Sequence, residues 1–543
     1  MIYVPEQDVL SRPRGALRLH RDVAVVRPQA GDGWAVRTPD NKLLGVGEQL
    51  GELLVTLKTK GPLTKTDLLE QMPPQWQPSD VDHALDAVSK YGLVVADYEM
   101  DSTEQKPLWS VDNDGPLILK LCFNRPEAFF IKAAPVVKAL RKTFLRWVPL
   151  VIAILGIPAL LSLAGNPNST LFQPLTLGTY GALLLALTLT TAIHELAHGL
   201  TLTACGGMPH RMGIMLFYFS PAAFCDVTEA WLLPRKDRVA VAFAGIVIQT
   251  SIGATALIAN LLLGGEHAFL TWYGASTYLV ALSNLIPFLR LDGYVALVGF
   301  TNQSGLRQRS IQALRNRVAG IPEPHEPLWV ALFGVGCLVT PLVIVWTAVT
   351  AIAPNLLRGG AGGRIMLSML IGFCLMNALV KMIHGLRGLK RTQQIRLFVT
   401  GFSAAVLVLL TPIGTTTSLG FQATGSHRAV ALTGDAAGSA PVTTGTKVSF
   451  HRSGLLTGPA LGQGTVVATE NCTVPLRAVS PLLSDAQMPP GTCLVVESDV
   501  ELTPGTTGRI TSQKVYQPLA RVIRHQLGPV LPGGSLYSDD EED

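Results

Sequence analysis

His194 and His198 stand four residues apart, with Glu195 beside the first, in the run Ile193-His-Glu-Leu-Ala-His198. On a helix, positions i and i+4 share a face, so both imidazoles point at one spot. Glu195 lies about 100° round from His194, near enough to hold a water at that spot. These residue types fit metal-assisted hydrolysis. Neutral imidazole nitrogens suit Zn2+, which lowers the pKa of its water to about 7, and an adjacent carboxylate can take the remaining proton and pass it to a leaving amine. The setting strengthens the reading. Two histidines and a glutamate within the apolar stretch Ala182 to Leu200 are costly in lipid unless they face a polar interior.

A catalytic zinc site takes a third protein ligand, and a later apolar block supplies one in Asn284-Leu-Ile-Pro287-Phe-Leu-Arg290-Leu-Asp292-Gly293. Pro287 breaks the helical hydrogen-bond ladder and Gly293 relaxes the backbone beside Asp292, which lets that carboxylate reach across to the first helix. The competing reading is an ion pair between Asp292 and Arg290. Asp226 is the next candidate ligand. His210 and His384 fall in or beside charged loops, and His267 and His325 at the ends of apolar blocks, where solvated or interfacial roles suffice.

HExxH in one apolar block, with NxxP and then Asp-Gly in a later one, resembles the site-2 protease family (M50-type) of intramembrane metalloproteases. The resemblance covers about Ala182 to Leu297. It implies that His194, His198 and Asp292 bind zinc, that Glu195 is the general base, and that Asn284 contacts the substrate backbone or the developing oxyanion. It also implies a site on the cytoplasmic side. Two features depart from the family: Arg290 stands where many members have proline, and neither a PDZ-like insertion nor a CBS-like tail is visible. The segment Pro221 to Arg235 is similar to the peptide zinc metalloprotease branch, which is linked to the production of modified peptides.

The rest of the chain must hold these groups in a membrane. Of 543 residues, 48% are hydrophobic and only 15% charged, with mean hydropathy +0.35, whereas soluble globules carry about a quarter charged residues. The apolar residues concentrate between Trp147 and Ile413. They predict a polytopic α-helical membrane protein with about seven transmembrane helices, at 147–165, 177–203, 239–263, 270–298, 328–353, 365–386 and 396–414. Arg141, Lys142 and Arg146, then Arg307, Arg309, Arg315 and Arg317, then Arg387, Lys390, Arg391 and Arg396 mark the cytoplasmic loops. The expected location is therefore the cell membrane, with the N-terminus cytoplasmic and the C-terminal region outside. Met1 to Arg21 lacks a signal-peptide pattern. The net charge of +5 resides largely in those loops and calls for no nucleic acid partner. The expected partners are the lipid bilayer and a peptide substrate.

Five domains follow: 1–100, an N-terminal winged-helix-like domain; 101–146, a juxtamembrane linker; 147–414, the membrane core; 415–530, a small β-rich domain; and 531–543, an acidic tail. In the first, Leu50, Leu53, Leu54 and Leu57 share one helix face, and Thr64 with Asp67 and Ser79 with Asp82 have capping-box spacing. Three helices closed by the strand Leu93 to Ala96 resemble PqqD-like domains, which recognise leader peptides of ribosomally made peptides. A DNA-binding winged helix would carry a basic recognition helix, but Asp80, Asp82 and Asp86 make this one acidic. Together the two resemblances imply removal of a leader in ribosomal peptide (RiPP) maturation. The alternatives are regulated cleavage of a membrane signalling protein, and a transporter or immunity protein in which no base such as Glu195 is needed. Among seven cysteines, Cys472 and Cys493 both fall in the outer β-rich domain, where a disulfide would persist.

Overall fold

The computed structural model describes residues 16–521, except 21–22, 28–33, 39–42, 75, 97–106, 116–117, 167–168, 174, 218–219, 304, 322–325, most of 359–387, 433–441, 453–459, 476–477 and 479–489. The chain starts with four short strands, β1 (Leu17–Leu19), β2 (Ala24–Val26), β3 (Trp34–Arg37) and β4 (Leu43–Val46). Three helices follow, α1 (Glu48–Lys60), α2 (Lys65–Gln71) and α3 (Pro78–Lys90), and then β5 (Val94–Ala96). β2, β3 and β4 form one antiparallel sheet, while β5 returns to pair with β1, Leu17 opposite Ala96. The leucine face of α1 drives this assembly: Leu53, Leu54 and Leu57 pack with Val36, Leu68, Val81, Leu85 and Val88. Thr64 and Asp67 form the expected capping box. The second box differs. α3 starts at Pro78, with Gln77 and Asp80 as the capping pair instead of Ser79 and Asp82. Proline has a φ suited to the first helical turn and no N–H to orphan there, so it begins the helix two residues early.

The stretch expected to be a linker is structured. It contains β6 (Trp109–Gly115), β7 (Ile118–Phe123) and α4 (Glu127–Lys142). Beyond it run α5 (Val148–Gly165), α6 (Leu177–Ala204), β8 (Met212–Phe217), β9 (Ser220–Cys225), α7 (Arg235–Leu262), α8 (Ala268–Asn284), α9 (Asp292–Thr301), α10 (Leu306–Ala319), α11 (Leu328–Arg358) and α12 (Arg391–Leu410). Five helical stretches among the described residues are long and apolar enough to cross a membrane: Phe144–Gly165, Leu177–Ala204, Arg235–Leu262, Leu328–Thr347 and Arg391–Leu410. The expected span at 365–386 lies mostly outside the described residues. The one at 270–298 is two helices, because the chain leaves helical geometry between Asn284 and Asp292, around Pro287.

Two compact units divide the chain. The first comprises residues 1–151, 188–251 and 291–304, and so holds the N-terminal domain, the later part of α6, the first part of α7 and α9. It also contains an antiparallel sheet in the order β6-β7-β8-β9. β7 joins β8 over the register Ile118–Phe217 to Phe123–Met212, and β9 is the last strand.

The second unit contains α5, α8 and the C-terminal region. A Cβ on Gly253 would fall 1.6 Å from Thr277 Oγ1, so α7 and α8 meet here at a distance only glycine permits. Six strands close a barrel in the order β11-β12-β15-β14-β13-β16: β11 (Ser418–Ala423), β12 (Arg428–Leu432), β13 (Lys447–Arg452), β14 (Gly462–Cys472), β15 (Gly491–Ser498) and β16 (Thr507–Ser512). β10 (Pro412–Thr415) and β17 (Val515–Pro518) pair outside it. Phe421 and Phe450 meet edge to face in the barrel core, centroids 5.0 Å apart. Cys472 and Cys493 form a disulfide, with Cα atoms 5.8 Å apart.

Candidate metal centre

His194 and His198 project from one face of α6 and are 3% and 4% exposed. Their Nε2 atoms lie 3.1 Å apart. Asp292, the first residue of α9, spans both: its Oδ2 is 2.9 Å from His194 Nε2 and its Oδ1 3.4 Å from His198 Nε2. The break after Asn284 ends one helix and starts another, which brings this carboxylate to the histidines. Asp292 therefore pairs with them, while Arg290 is exposed. The first turn of a helix also suits an anion, because its N–H groups point there unsatisfied.

The surroundings prepare the nitrogens for a cation. His198 Nδ1 donates to the Val241 carbonyl at 2.7 Å, so its Nε2 carries a lone pair when the ring is neutral. Two imidazole nitrogens and a carboxylate, each turned toward the others, leave their lone pairs to be satisfied from between them. Ligands about 2.0–2.1 Å from a tetrahedral zinc ion stand roughly 3.3 Å from one another, close to the separations found. Gly245 of α7 completes the cradle, since a Cβ there would lie 2.5 Å from both Nε2 atoms. The three ligand atoms all fall within 4.8 Å of one another. The residues fit a zinc-sized ion.

Glu195 is beside this group, not in it. Its Oε2 accepts the Cys225 N–H at 3.0 Å, which ties the carboxylate to the end of β9. A cavity of about 310 Å³ is lined by Glu195, His198 and Asp292 together with Asp226, Trp231 and Arg238. Asp226 thus shares the cavity but is absent from the ligand group; its Oδ1 accepts from the Thr228 N–H at 3.1 Å. Asn284 is half-buried at the end of α8, in the second unit. His210 lies in an ion cluster, 3.2 Å from Glu127 and 2.9 Å from Glu229. His384 and His325 lie outside the described residues.

Over 110 residues the chain is 32% identical to a protein of Bacillus subtilis (strain 168) named "Putative peptide zinc metalloprotease protein YydH". That match takes in 20% of this chain and 43% of the relative, so the chain spans less than half the length of the curated relative it matches. No protein-family model and no solved structure matches the chain.

Four residues around the site were not singled out by sequence reasoning. Val241 orients His198, Gly245 makes room for both rings, Cys225 holds Glu195, and Arg238 lines the cavity. A glycine within an apolar helix is a signal of close approach, and so Gly245 was findable. The Val241 carbonyl and the Cys225 N–H are backbone groups, to which side-chain chemistry gives no clue. Burial pushes the Cys225 thiol up to about 12, helped by the Glu195 and Asp226 carboxylates.

Proposed function

We propose that this chain is a membrane-embedded zinc metalloendopeptidase of the site-2 protease type, which removes the leader of a ribosomally made peptide near the cytoplasmic face of the membrane. The observation that carries this reading is the convergence of His194, His198 and Asp292 on the room left by Gly245, with Glu195 alongside in the same cavity. The similarity to a protein named as a peptide zinc metalloprotease supports it.

His194, His198 and Asp292 would hold the ion. A zinc ion held there would supply the positive charge that makes a water acidic near neutral pH and that polarises a carbonyl. Glu195 takes the water's proton and gives it to the departing amine. Its tie to the Cys225 N–H fixes one carboxylate oxygen and leaves the other to move the proton. The burial of His194 and His198 in an apolar helix keeps bulk water from competing with these contacts.

Selection of the substrate falls to the N-terminal domain. Its Arg37 pairs with Glu229, in the segment between β9 and α7 whose Thr228, Ala230 and Trp231 line the cavity. The outer edge of β5 suits addition of a leader strand, whereas the β1 side is bridged at Leu17 by Leu63. The disulfide in the C-terminal barrel fits an oxidising location outside the cytoplasm.

The test is metal content and cleavage of a co-encoded peptide precursor by detergent-purified protein. One zinc per chain with cleavage at one bond is expected. Stoichiometric zinc with no cleavage of any precursor would remove the peptidase reading. Deleting residues 1–100 should slow cleavage of the full precursor while sparing a short peptide at high concentration; equal rates on the full precursor would remove the selecting role.

A further inference from the structure

Among the described residues that line the cavity, Arg238 is the one arginine or lysine, and the metal centre makes no use of it. This residue lies in the first turn of α7 and is only 6% exposed, yet it lines the cavity with Glu195 and Asp292. A guanidinium keeps its charge under all ordinary conditions, and buried charges are normally matched by an opposite one. The partners of Arg238 among the described residues are all neutral. Nη1 donates to Asn302 Oδ1 at 3.2 Å, Nη2 donates to the Leu233 carbonyl at 3.3 Å, and the guanidinium carbon sits 5.2 Å from the centre of the Trp231 ring. The buried Nε has no hydrogen-bond partner.

Three carboxylates of this unit are engaged elsewhere. Asp237 pairs with Arg141, Glu229 with Arg37 and His210, and Asp292 with the two histidines. Positive charge is reinforced from two sides. Arg235, 4.5 Å from the Phe300 ring centre, is near enough for its charge to act on Arg238, and both belong to the N-terminal turn of α7, the positive end of its dipole. The fold thus holds, against the cavity where the substrate would lie, a cation to which no carboxylate among the described residues is hydrogen-bonded. A carboxylate fits the fork geometry of a guanidinium. A doubly charged anion would fit worse, because Glu195, Asp226 and Asp292 line the same cavity.

We infer that Arg238 selects the substrate by binding a peptide carboxylate close to the scissile bond, supplied either by an Asp or Glu side chain or by a free C-terminus. The inference rests on the peptidase reading above, and the experiment separates the two. Detergent-purified full-length protein is titrated with three pentapeptide pools randomised at their outer positions. The first pool is acetylated and amidated with a central Asp, the second is the same with a central Asn, and the third has a central Asn and a free C-terminal carboxylate. The parent should bind one of the charged pools about tenfold more tightly than the neutral one, the order of a charge-assisted hydrogen bond; which pool it is identifies the source. Arg238→Gln should abolish the preference. Asn302→Asp should do the same by giving Arg238 a resident counter-ion of the same shape, with the arginine still present. A parent that binds all three pools alike overturns the inference, whether or not the variants fold, and so does a preference that survives Asn302→Asp. Cleavage of the same pools is read separately. An acid preference in binding without any hydrolysis counts against the peptidase reading and supports the anion subsite.

Discussion

The interior of the C-terminal barrel and the interior around Gly245 are made of opposite materials. In the barrel, Phe421, Phe450, Val466, Leu494, Val496 and Ile510 fill the space with apolar side chains. Around Gly245 stand two imidazoles and two carboxylates, three of them within 4.8 Å of one another. Both interiors hold buried side chains, but burial stabilises only the first kind; polar groups taken out of water cost free energy unless each is matched. The contrast separates residues kept for packing from residues kept for chemistry. Substitutions in the two regions should accordingly fail in different ways.

The largest effect should come from Glu195→Gln. It removes the proton acceptor but no metal ligand, so cleavage should fall by about 10² to 10⁴ while zinc stays stoichiometric. Asp292→Ala and Gly245→Ala should instead lose both zinc and activity, the first by deleting a ligand, the second by setting a methyl 2.5 Å from both Nε2 atoms. Metal analysis beside single-turnover cleavage checks all three. An active Glu195→Gln protein would sink the mechanism, and full zinc in Gly245→Ala would dismiss the cradle.

Phe450→Ala probes the other interior. The ring is fully buried and meets Phe421 edge to face, so its loss should destabilise the barrel by about 3–5 kcal/mol without lowering zinc content. Pulse proteolysis of the full-length protein, with zinc measured on the same sample, reads both. Loss of zinc in step with the barrel would break the separation. A smaller loss is expected from Cys472→Ala with Cys493→Ala. That disulfide closes a loop of 21 residues between β14 and β15, worth about 3 kcal/mol. The same proteolysis, with and without a reducing agent on the parent, should give matching shifts.

What could be read from the sequence divides along similar lines. His194, Glu195 and His198 were legible because one helix turn brings them together, and Pro287 before Asp292 was legible because proline punctuates a helix. The N-terminal helices were legible from the spacing of Leu53, Leu54 and Leu57. Illegible were features made by distant segments. β7 and β8 are separated by α4, α5 and α6, so Leu121 opposite Ile214 leaves no local trace, and residues 101–146 read as a linker. The β-rich character of 415–530 was legible, yet closure into a barrel depends on β11 meeting β16, far along the chain. The contacts of Val241 and Cys225 with the site are backbone contacts and hide from side-chain reasoning altogether.

The smallest predicted effect lies at α2, whose cap was legible in full. Thr64 accepts the Asp67 N–H at 3.3 Å, and the Asp67 carboxylate accepts the Thr64 N–H at 3.2 Å and its hydroxyl at 2.6 Å. These bonds, first from the Thr64 side chain and then from its backbone, hold the Asp67 carboxyl below its usual 3.8. A depressed acid stabilises the fold above its unfolded value and loses that contribution as the pH falls through its folded value. Thr64→Ala should therefore weaken α2 by about 1 kcal/mol at neutral pH, and the gap between variant and parent should narrow as the pH falls through and below the ordinary carboxylate range. Hydrogen exchange at the amides of α2 in the full-length protein measures this locally, without requiring global unfolding. A gap that stays constant down to pH 3 would mean that the hydroxyl acts alone as the cap and that the carboxylate contributes nothing.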